Sequence, residues 1–471
     1  MKKYLTGLAL ITLIISACSV SKDIATPKPE TPVAFRSADV KTTGDSSSIA
    51  DIQWRQFFTE PVLQRLIDSA IINNYDMQLA VKNLEQSQLV LKQSKWNNVP
   101  EVNLNVGVSS SRPSDNSLNG ISLSQFLGTK HIENYSADVS LSWEADIWGK
   151  IRNQNKIALA SYLKTNEAKK FIQTNIVAGV AQGYYNLLML DRQLAVAKRN
   201  VQLNDSTLQI IQLQYNAGQV TSLGVQQAEA QRLAAARLVP QFEQAIALQE
   251  NALRILTGAL PDKVTRNATL DQFNIPDNIS TGVPSVVISR RPDVRSAEFS
   301  LNIANANVGV TKAEMYPALR ITADGGVNSF KASNWFNVPA SLFGIVAGSV
   351  VEPLINKKRL STNYNIAQVE REKVVLQFRQ TVLNAVGEVS NSLASIEKLK
   401  EAQVIATQRV STLQQATGNA NLLFRNGMAN YLEVITAQSN VLQSELELAT
   451  IKRDELNAVS SLYRALGGGW Q

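Results

Sequence analysis

Three stretches of the chain alternate strictly between apolar and polar residues. One set of alternate positions is apolar and comprises Val102, Leu104, Val106 and Val108, then Ala137, Val139, Leu141 and Trp143, then Leu319, Ile321, Ala323 and Val327. The intervening positions are mainly polar and include Asn103, Asn105, Asp138, Ser140, Thr322 and Asp324. Because the side chains of a strand point alternately to its two faces, the pattern predicts three strands, each with one apolar and one polar face.

A fourth stretch, residues 341–351, is apolar and contains glycine but alternates poorly. Together the four stretches predict two β-hairpins, at about residues 101–146 and 319–354. Strands of about ten residues with one apolar face suit a transmembrane β-barrel, in which lipid contacts the apolar face. Four strands are too few to close a water-filled barrel. They therefore either pair with strands of other chains or belong to a soluble sandwich.

Long segments with a heptad pattern separate the predicted hairpins. In one of them the 3-4 spacing runs through Leu187, Leu190, Leu194, Ala197, Val201, Asn204, Leu208, Ile211 and Tyr215. A second segment, from Leu432 to Tyr463, has the same spacing with polar interruptions. This spacing predicts helices that pack as in a coiled coil. A helix from about residue 150 to 215 would be on the order of 100 Å long, which suits a protein that crosses a wide compartment.

The two halves of the chain match each other at a constant offset of 209 positions. The matched pairs include Asn175 with Asn384, Gly218 with Gly427, Leu223 with Leu432, and Gly258 with Gly467. Upstream the offset becomes 217 and pairs Pro100 with Pro317, each of which precedes a predicted strand. Chance matching of heptads would not also align turn and terminal glycines. The pattern therefore predicts a duplicated unit of helix, β-hairpin and long helical hairpin.

The N-terminus has the layout of a bacterial export signal. Residues 1–17 contain two lysines, an apolar run and then two small residues, and Cys18 follows at the position of a lipobox cysteine. These features predict a signal peptide at 1–17, lipidation of Cys18 and a flexible, lipid-anchored tether at 18–50. The alternative is an ordinary secretory signal followed by an incidental cysteine. Either way the mature chain is exported.

Composition excludes several classes of chemistry. The chain has one His and one Cys, which are too few for a metal site made of several Cys and His ligands. A His-based triad or a Cys/His dyad is disfavoured, because His131 lies in a polar stretch expected to be a solvated loop and Cys18 lies at the predicted processing site. It has no glycine-rich phosphate loop or nucleophile elbow. The formal net charge of +7 comes from basic residues that are scattered rather than interleaved with aromatic ones, which disfavours nucleic-acid binding. We therefore expect no enzyme activity, no cofactor and no nucleic-acid partner.

Six motifs follow one another in an order that resembles one known family. They are Trp54, Phe57, Phe58, Pro61 and Leu63; SWEADIWGK at 142–150; VPS at 283–285 with RRPDVRSAE at 290–298; ANANVG at 304–309; YLEVITAQ at 431–438; and ALGGGW at 465–470. The family is that of the TolC-like outer-membrane factors, and specifically the lipoprotein branch that serves RND-type efflux pumps. The resemblance extends over nearly the whole mature chain.

The resemblance implies an α+β membrane protein that assembles as a homotrimer. Four strands from each chain would close a 12-stranded β-barrel in the outer membrane, in contact with its lipid, and a long α-helical barrel would continue through the periplasm. A periplasmic membrane-fusion adaptor and an inner-membrane RND-type pump would be its partners. The implied divisions of the chain are a first repeat at 51–257, an equatorial linker at 258–290, a second repeat at 291–466 and a C-terminal tail at 467–471.

The resemblance also assigns roles to particular residues. The two helix–turn–helix tips would dock the adaptor through Gly218, Val220, Thr221, Ser222, Gly427, Met428, Asn430 and Tyr431. Asp205, Leu422 and Arg425 are candidates for a pore constriction, although residues 414–424 contain no Asp or Glu and so do not support a carboxylate ring. The polar strand residues Asn103, Asn105, Asp138, Ser140, Thr322 and Asp324 would line the barrel lumen. Residues 110–133 would form an outer loop, with Trp335 and Phe336 in a second one or in an interfacial belt.

A second departure from the family occurs at residues 356–359, which read Asn-Lys-Lys-Arg where family members often carry glycines. It predicts a helix start with altered turn chemistry. The leading functional hypothesis is the outer-membrane channel subunit of a tripartite efflux pump, a passive exit duct for small molecules. Two alternatives stay open. One is a TolC-like duct for type I protein secretion, and the other is a periplasmic coiled-coil adaptor or scaffold, which explains the helices but not the alternating strands.

Overall fold

The structure is a computed structural model that describes residues 27, 31–32, 35–36, 48–273, 281–282 and 284–470. The predicted signal peptide, Cys18 and most of the predicted tether lie outside these residues. The described helices are α1 (Trp54–Phe57), α2 (Pro61–Asn73), α3 (Tyr75–Ser94), α4 (Leu118–Leu127), α5 (Lys150–Asn216), α6 (Ser222–Leu256), α7 (Pro284–Arg290), α8 (Pro292–Ala313), α9 (Arg359–Arg425) and α10 (Tyr431–Ala465). None of them is both long enough and apolar enough to span a membrane.

Four strands form one antiparallel sheet in the order β1-β2-β3-β4. They are β1 (Glu101–Ser111), β2 (Ile132–Glu144), β3 (Ala318–Ser329) and β4 (Leu342–Val351). The four predicted strands are thus present, and the poorly alternating fourth stretch is an edge of the sheet. The central pair joins the two halves of the chain, because β2 pairs with β3 from Tyr135 opposite Ser329 to Glu144 opposite Arg320.

The long helices have matching lengths in the two halves of the chain. Helices α5 and α9 each contain 67 residues, and α6 and α10 each contain 35. Their first and last residues differ by the same 209 positions that relate the sequence matches. The prediction of a helix from about 150 to 215 is confirmed. The duplication itself stays a prediction, which the equal lengths support.

The start of α5 has a built-in cap. The carboxylate of Asp146 accepts hydrogen bonds from the backbone N–H groups of Ile151 at 2.8 Å and Arg152 at 2.9 Å. These N–H groups lie in the first turn and have no partner within the helix. The negative charge of an acidic group beside them also interacts favourably with the positive end of the helix dipole. The Trp148 indole donates to the backbone oxygen of Pro317 at 2.7 Å and so ties this junction to the start of β3.

The corresponding start of α9 is built differently. Lys357 and Lys358 have φ values of 54° and 62°, and the helix begins at the next residue, Arg359. The prediction of altered turn chemistry at this site is therefore confirmed. Glycine adopts positive φ without steric cost, whereas an L-residue with a Cβ does not.

The expected outer loop at 110–133 contains a helix, α4, so that expectation was incomplete. The Ser117 side chain accepts a hydrogen bond from the Gly120 N–H at 3.1 Å, and Gly128 ends the helix with a φ of 65°. Serine at the N-cap and glycine in the left-handed conformation are common helix boundaries. The high content of Ser, Asn and Gly hid these local signals. The single histidine, His131, is exposed between α4 and β2.

The chain divides into two compact units that cut across the predicted repeats. One unit contains Gln86–Leu163 and Phe299–Leu376, including all four strands, and the other contains Lys164–Glu298 and Gln377–Gln471 together with Lys28–Glu85. Each unit takes segments from both halves because the two hairpins pair in one sheet and helices of both halves pack together. The predicted boundaries at 51–257 and 291–466 therefore divide the chain along its length and do not mark compact bodies.

The main apolar core of the helical unit lies where α1 and α2 pack against α5 and α10. Its fully buried side chains include Leu63, Ile67, Tyr184, Leu188 and Tyr463. The Phe57 ring stacks on the Tyr463 ring with centroids 4.1 Å apart, and the Tyr463 hydroxyl donates to Ile52 O at 2.7 Å. Each such side chain stabilises the fold by about 1.5–3 kcal/mol on burial. The aromatic motif that begins at Trp54 thus has a structural role.

The RRPDVRSAE motif holds the end of α10. Arg291 is 3% exposed and donates to the backbone oxygen of Ala465 at 2.6 Å. Its guanidinium also pairs with Asp293 at 2.8 Å and Glu388 at 2.9 Å. A buried arginine needs several such partners to offset the loss of hydration. The contact brings residues 174 positions apart in the chain together.

Candidate functional site: the sheet faces and the hairpin tips

The register of the sheet places the predicted lumen residues on one face. Asn105 lies opposite Asp138, and its side-chain amide donates to the Asp138 carboxylate at 2.8 Å and to Ser140 Oγ at 3.1 Å. Ser140 in turn lies opposite Asp324 on β3. Directly opposed residues of antiparallel strands share a face. The face formed in this way carries Asn103, Asn105, Asp138, Ser140, Thr322 and Asp324.

The opposite face is apolar and has an aromatic residue near each end. On β2 it carries Ala137, Val139 and Leu141, with Tyr135 before them and Trp143 after them. Eight positions separate the two aromatic residues, which corresponds to about 27 Å at 3.3–3.4 Å per residue. Outer-membrane strands have an apolar band about 25 Å tall with aromatic residues at both interfaces. The face therefore has the dimensions of a lipid-contacting surface.

Two further aromatic side chains lie near the Tyr135 end of the apolar face. Trp335 lies 5.5 Å from the Tyr135 ring and stacks on Phe336 at 4.9 Å, both measured between ring centroids. At the other end the Trp143 indole donates to the backbone oxygen of Asn98 at 3.0 Å. Trp335 and Phe336 lie in the connection between β3 and β4, and their place in a second outer loop or in an interfacial belt stays a prediction.

The fourth strand breaks the polar pattern. Its positions opposite Gly326, Asp324 and Thr322 are Phe343, Ile345 and Ala347. The face that is polar on β1 to β3 is thus apolar along most of β4, which explains why the alternation fails there. Sequence reasoning could not assign faces to this strand, because both sets of alternate positions are apolar or glycine, with Ser349 as the one exception.

Each long helical hairpin turns at a glycine with a left-handed backbone. Gly218 has a φ of 73° and Gly427 a φ of 72°. The backbone N–H of the residue after each glycine donates a hydrogen bond to a carbonyl of the preceding helix. Gln219 N–H donates to Gln214 O and Met428 N–H donates to Leu423 O, both at 2.8 Å. This pairing satisfies carbonyl groups at a helix end.

The predicted tip residues fall in these two turns and at the starts of the following helices. Val220 and Thr221 lie in the first turn, and Ser222 opens α6. Met428 lies in the second turn and is 69% exposed. Asn430 caps α10 by accepting a hydrogen bond from the Glu433 N–H at 3.1 Å, and Tyr431 opens that helix.

The two tips contact each other through a residue that the sequence did not single out. A Cβ placed on Gly224 would lie 3.1 Å from Cε1 of Tyr431, so the tyrosine ring rests directly against the glycine backbone. Beneath this contact lies a small apolar cluster that includes Ile211, Phe424 and Val434. The repeat alignment does not reveal this contact, because the offset of 209 positions pairs Tyr431 with Ser222 and not with Gly224.

The three constriction candidates have different surroundings. Asp205 on α5 pairs with Arg232 on α6, with Nε and Oδ1 2.5 Å apart. Leu422 is 60% exposed near the end of α9. Arg425 is the last residue of α9, and no ion pair of the described residues includes it. Sequence reasoning missed Arg232, because a pairing across a hairpin depends on how the two helices are rotated.

Metal-ligating side chains are dispersed. In the part of the chain that the structure describes, no three His, Cys, Asp or Glu side chains are grouped so that they could hold a metal ion.

The chain matches the family model described as outer membrane efflux protein, over residues 66–259 and 283–468. Three curated relatives are similar along almost their whole lengths. The cation efflux system protein CusC of Escherichia coli O6:H1 is 27% identical over 466 residues, which is 98% of each chain. The probable efflux pump outer membrane protein TtgC of Pseudomonas putida is 26% identical over 474 residues, 100% of this chain and 96% of that protein. The probable outer membrane lipoprotein SilC of Salmonella typhimurium is 24% identical, covering 100% and 99%.

Solved structures show the same fold. The open state of the MtrE outer membrane channel of Neisseria gonorrhoeae has a TM-score of 0.85 and 24% identity, covering 96% of this chain and 99% of that one. The CmeC outer membrane channel of Campylobacter jejuni has a TM-score of 0.87 and 20% identity, covering 96% and 95%. The TolC-like fold expected from the sequence motifs is therefore confirmed. The chain belongs to the outer membrane efflux protein family, and it is an outer-membrane component of an efflux system.

Proposed function

We propose that this protein is the passive exit duct of a tripartite efflux pump and catalyses no reaction. Three copies contribute four strands each to a twelve-stranded barrel in the outer membrane, and their long helices form an α-helical barrel in the periplasm. The observation that carries the proposal is the four-stranded sheet, of which one face is polar along β1 to β3 and the other is apolar and flanked by aromatic residues. Twelve such strands can enclose an aqueous lumen, whereas four cannot.

The edges of the sheet support the trimer. β1 and β4 have no second neighbour among the described strands, so one row of backbone N–H and C=O groups on each is unpaired. Lipid cannot satisfy these groups, and an open edge is therefore costly in a membrane. In a closed ring, β1 of one copy pairs with β4 of the next, and no edge remains.

Purification in detergent followed by planar-bilayer recording tests the duct. The expected result is a trimer by light scattering and discrete ion conductance after insertion. A monomer that stays soluble without detergent once Cys18 is replaced would contradict the proposal. Drug and metal susceptibility of a deletion strain would then identify the cargo, for which the relatives give no single answer because their names include both cation and solvent efflux.

The hairpin tips are the proposed docking site for a periplasmic adaptor, which connects the duct to an inner-membrane RND-type pump. A photo-crosslinking residue at Asn430 should capture the adaptor in cells, and the same residue at Leu118 in α4 is the matched control, which should not. Both positions are exposed. Capture from Leu118 alone would reverse the assignment.

The gate is proposed to involve the end of α9. Arg425 and Leu422 are exposed within a single chain and Asp205 is held by Arg232, which leaves Arg425 as the charged group able to act on the pore. We expect Arg425→Ala to raise single-channel conductance. Lys373→Ala on the same helix, far from the tip in sequence, should leave the conductance unchanged.

A duct for type I protein secretion is the remaining alternative within the fold. The efflux names of the relatives favour small-molecule export, and complementation separates the two, because a secretion duct would restore export of a protein rather than drug resistance. An adaptor or scaffold does not fit the family. Proteolysis of whole cells at residues 112–133 checks this directly, since an adaptor would expose no segment at the cell surface.

Lipidation of Cys18 is proposed as the N-terminal anchor. The likeness to SilC, which is named as an outer membrane lipoprotein, supports it. Mass spectrometry of the mature N-terminus should show an acylated Cys18, and Cys18→Ser should abolish the modification. A mature chain that begins elsewhere would contradict the assignment.

A further inference from the structure

Residues 353–359, which connect β4 to α9 and include the first residue of α9, expose two apolar side chains that contact little of their own chain. Leu354 is 89% exposed and Ile355 is 95% exposed. No other large apolar side chain in the described part of the chain is as exposed. Apolar side chains this open to water indicate a surface that another phase or molecule covers.

Three cations follow the apolar pair after one intervening residue, Asn356. Lys357, Lys358 and Arg359 are consecutive and exposed, and none of them lies within 4.0 Å of a carboxylate among the described residues. At the end of β2, by contrast, two nearby cations are paired with a carboxylate. Glu144 at the end of β2 pairs with both Lys150 at 2.8 Å and Arg320 at 3.5 Å. The two cations beside Glu144 are thus paired with a carboxylate, whereas the three cations after β4 are not.

The connection continues the apolar face of the sheet. Positions Val346 and Val350 of β4 lie opposite Ala323 and Leu319 and so belong to the apolar face, where they are 81% and 68% exposed. Leu354 and Ile355 follow at the helix-side end of that strand. At a membrane surface the hydrocarbon region is followed by the layer of phosphate groups. Apolar residues followed by cations fit that order, because the apolar side chains suit the hydrocarbon and the cations suit the phosphates.

We propose that residues 353–359 bind anionic phospholipid at the helix-side surface of the membrane. Leu354 and Ile355 lie among acyl chains, and Lys357, Lys358 and Arg359 contact the phosphate groups. The negative charge of the lipid complements the three unpaired cations, and the apolar pair favours a lipid over a free phosphate ion. The inference rests on the proposed orientation of the sheet, with its apolar face toward lipid.

Native mass spectrometry of the purified full-length protein in neutral detergent tests the proposal. Dioleoylphosphatidylglycerol, dioleoylphosphatidylcholine and inorganic phosphate are added separately. We expect retention of phosphatidylglycerol in preference to phosphatidylcholine, and no retained phosphate. The triple variant Lys357→Gln, Lys358→Gln, Arg359→Gln should lose the preference, since each cation near an anionic surface contributes about a five-fold gain in affinity. The control variant Lys82→Gln, Arg237→Gln, Lys263→Gln removes three exposed cations elsewhere and should keep it.

Two results would overturn the proposal. The first is equal retention of phosphatidylglycerol by the triple variant and the wild type. The second is dissociation of the trimer by Leu354→Ser and Ile355→Ser in neutral detergent, which would show that a second copy of this chain covers the apolar pair. Bilayer conductance of the same preparations separates a failure of the lipid-binding proposal from a failure of the duct proposal. If the triple variant conducts normally but loses lipid preference, both proposals stand, and if the wild type does not conduct, the duct proposal fails first.

Discussion

Lys357 and Lys358 are the described non-glycine residues with a positive φ. The offset of 209 positions places Lys358 opposite Gly149, whose φ is 78°. The backbone is thus left-handed at this one position in both halves, while only one half has the residue that adopts it freely. A left-handed L-residue costs about 1–2 kcal/mol, so α9 starts from a strained turn.

We expect Lys358→Gly to stabilise the protein by about 0.5–1 kcal/mol. Relief of the steric cost exceeds the extra chain entropy that glycine gives the unfolded state. Lys373→Gly within α9 is the matched control and should destabilise by about 1 kcal/mol, because glycine is a poor helix former. Thermal unfolding in neutral detergent measures both, and a loss of stability in Lys358→Gly would contradict the assignment of strain.

Burial of the Tyr463 ring raises the pKa of its hydroxyl to about 12. In the unfolded state the pKa of a tyrosine hydroxyl is about 10, so the folded state favours the protonated phenol more strongly than the unfolded state does. This contribution to stability is complete below pH 10 and is lost as the pH rises toward 12, by about 2–3 kcal/mol. Tyr463→Phe should lower stability by about 1 kcal/mol at pH 7, through the lost bond to Ile52 O, and should flatten the alkaline loss. Unfolding midpoints at pH 7 to 11 test this.

The faces of the lumen residues were predictable from sequence, because a strand has a period of two and needs no knowledge of its neighbours. Asn105 and Asp138 were placed correctly on one face for that reason, whereas their direct hydrogen bond required the register. The pairing of Asp205 with Arg232 was not predictable. It depends on the rotation of one long helix against another, which many side chains determine together.

At the level of elements, the Asp146 carboxylate lies in the connection between β2 and α5 and caps the start of the helix. Asp146→Ala should destabilise the start of α5 by about 1 kcal/mol, the usual cost of a lost helix cap. Hydrogen exchange of the Ile151 and Arg152 amides should rise, while exchange near Gly218 at the far end should not change. Asp146→Asn is the control that keeps one acceptor and should cost less.

Long helices were predictable to within a residue at α5, because heptad repeats over many turns leave little ambiguity. The ten-residue α4 was not, since its apolar residues occur among Ser, Asn and Gly and it depends on a local cap at Ser117. Short helices of this kind are stabilised by their caps and by packing against neighbouring elements, and their apolar residues need not follow a regular helical period.

For the whole molecule, the assignment of the two sheet faces gives a paired test. Leu104→Arg on the apolar face should reduce stability in the membrane by about 2–4 kcal/mol and lower the yield of heat-resistant trimer. Asn105→Arg, one residue away, should assemble normally and alter ion selectivity instead, because residue 105 would face the lumen of the proposed barrel. Gel mobility and bilayer recording distinguish the two, and a reversed result would exchange the faces.

Organisation at this scale was only partly readable from sequence. The repeat predicted matching helices, but the compact units combine both halves, because β2 pairs with β3 and buried Arg291 contacts the far C-terminal end of α10. Long-range contacts of this kind have no period along the chain. They depend on how the two halves of the chain fold against each other.

The equal lengths of the paired helices limit how this gene can change over time. One inserted residue in α5 would move its tip by about 1.5 Å and turn it by about 100°. Tyr431 would then no longer meet Gly224, and every heptad contact beyond the insertion would be rotated out of place. Insertions and deletions are tolerable only as compensated events in both halves, or as whole heptads. Natural variation in this chain should therefore be rich in substitutions and nearly free of length changes between residues 150 and 216 and between residues 359 and 425.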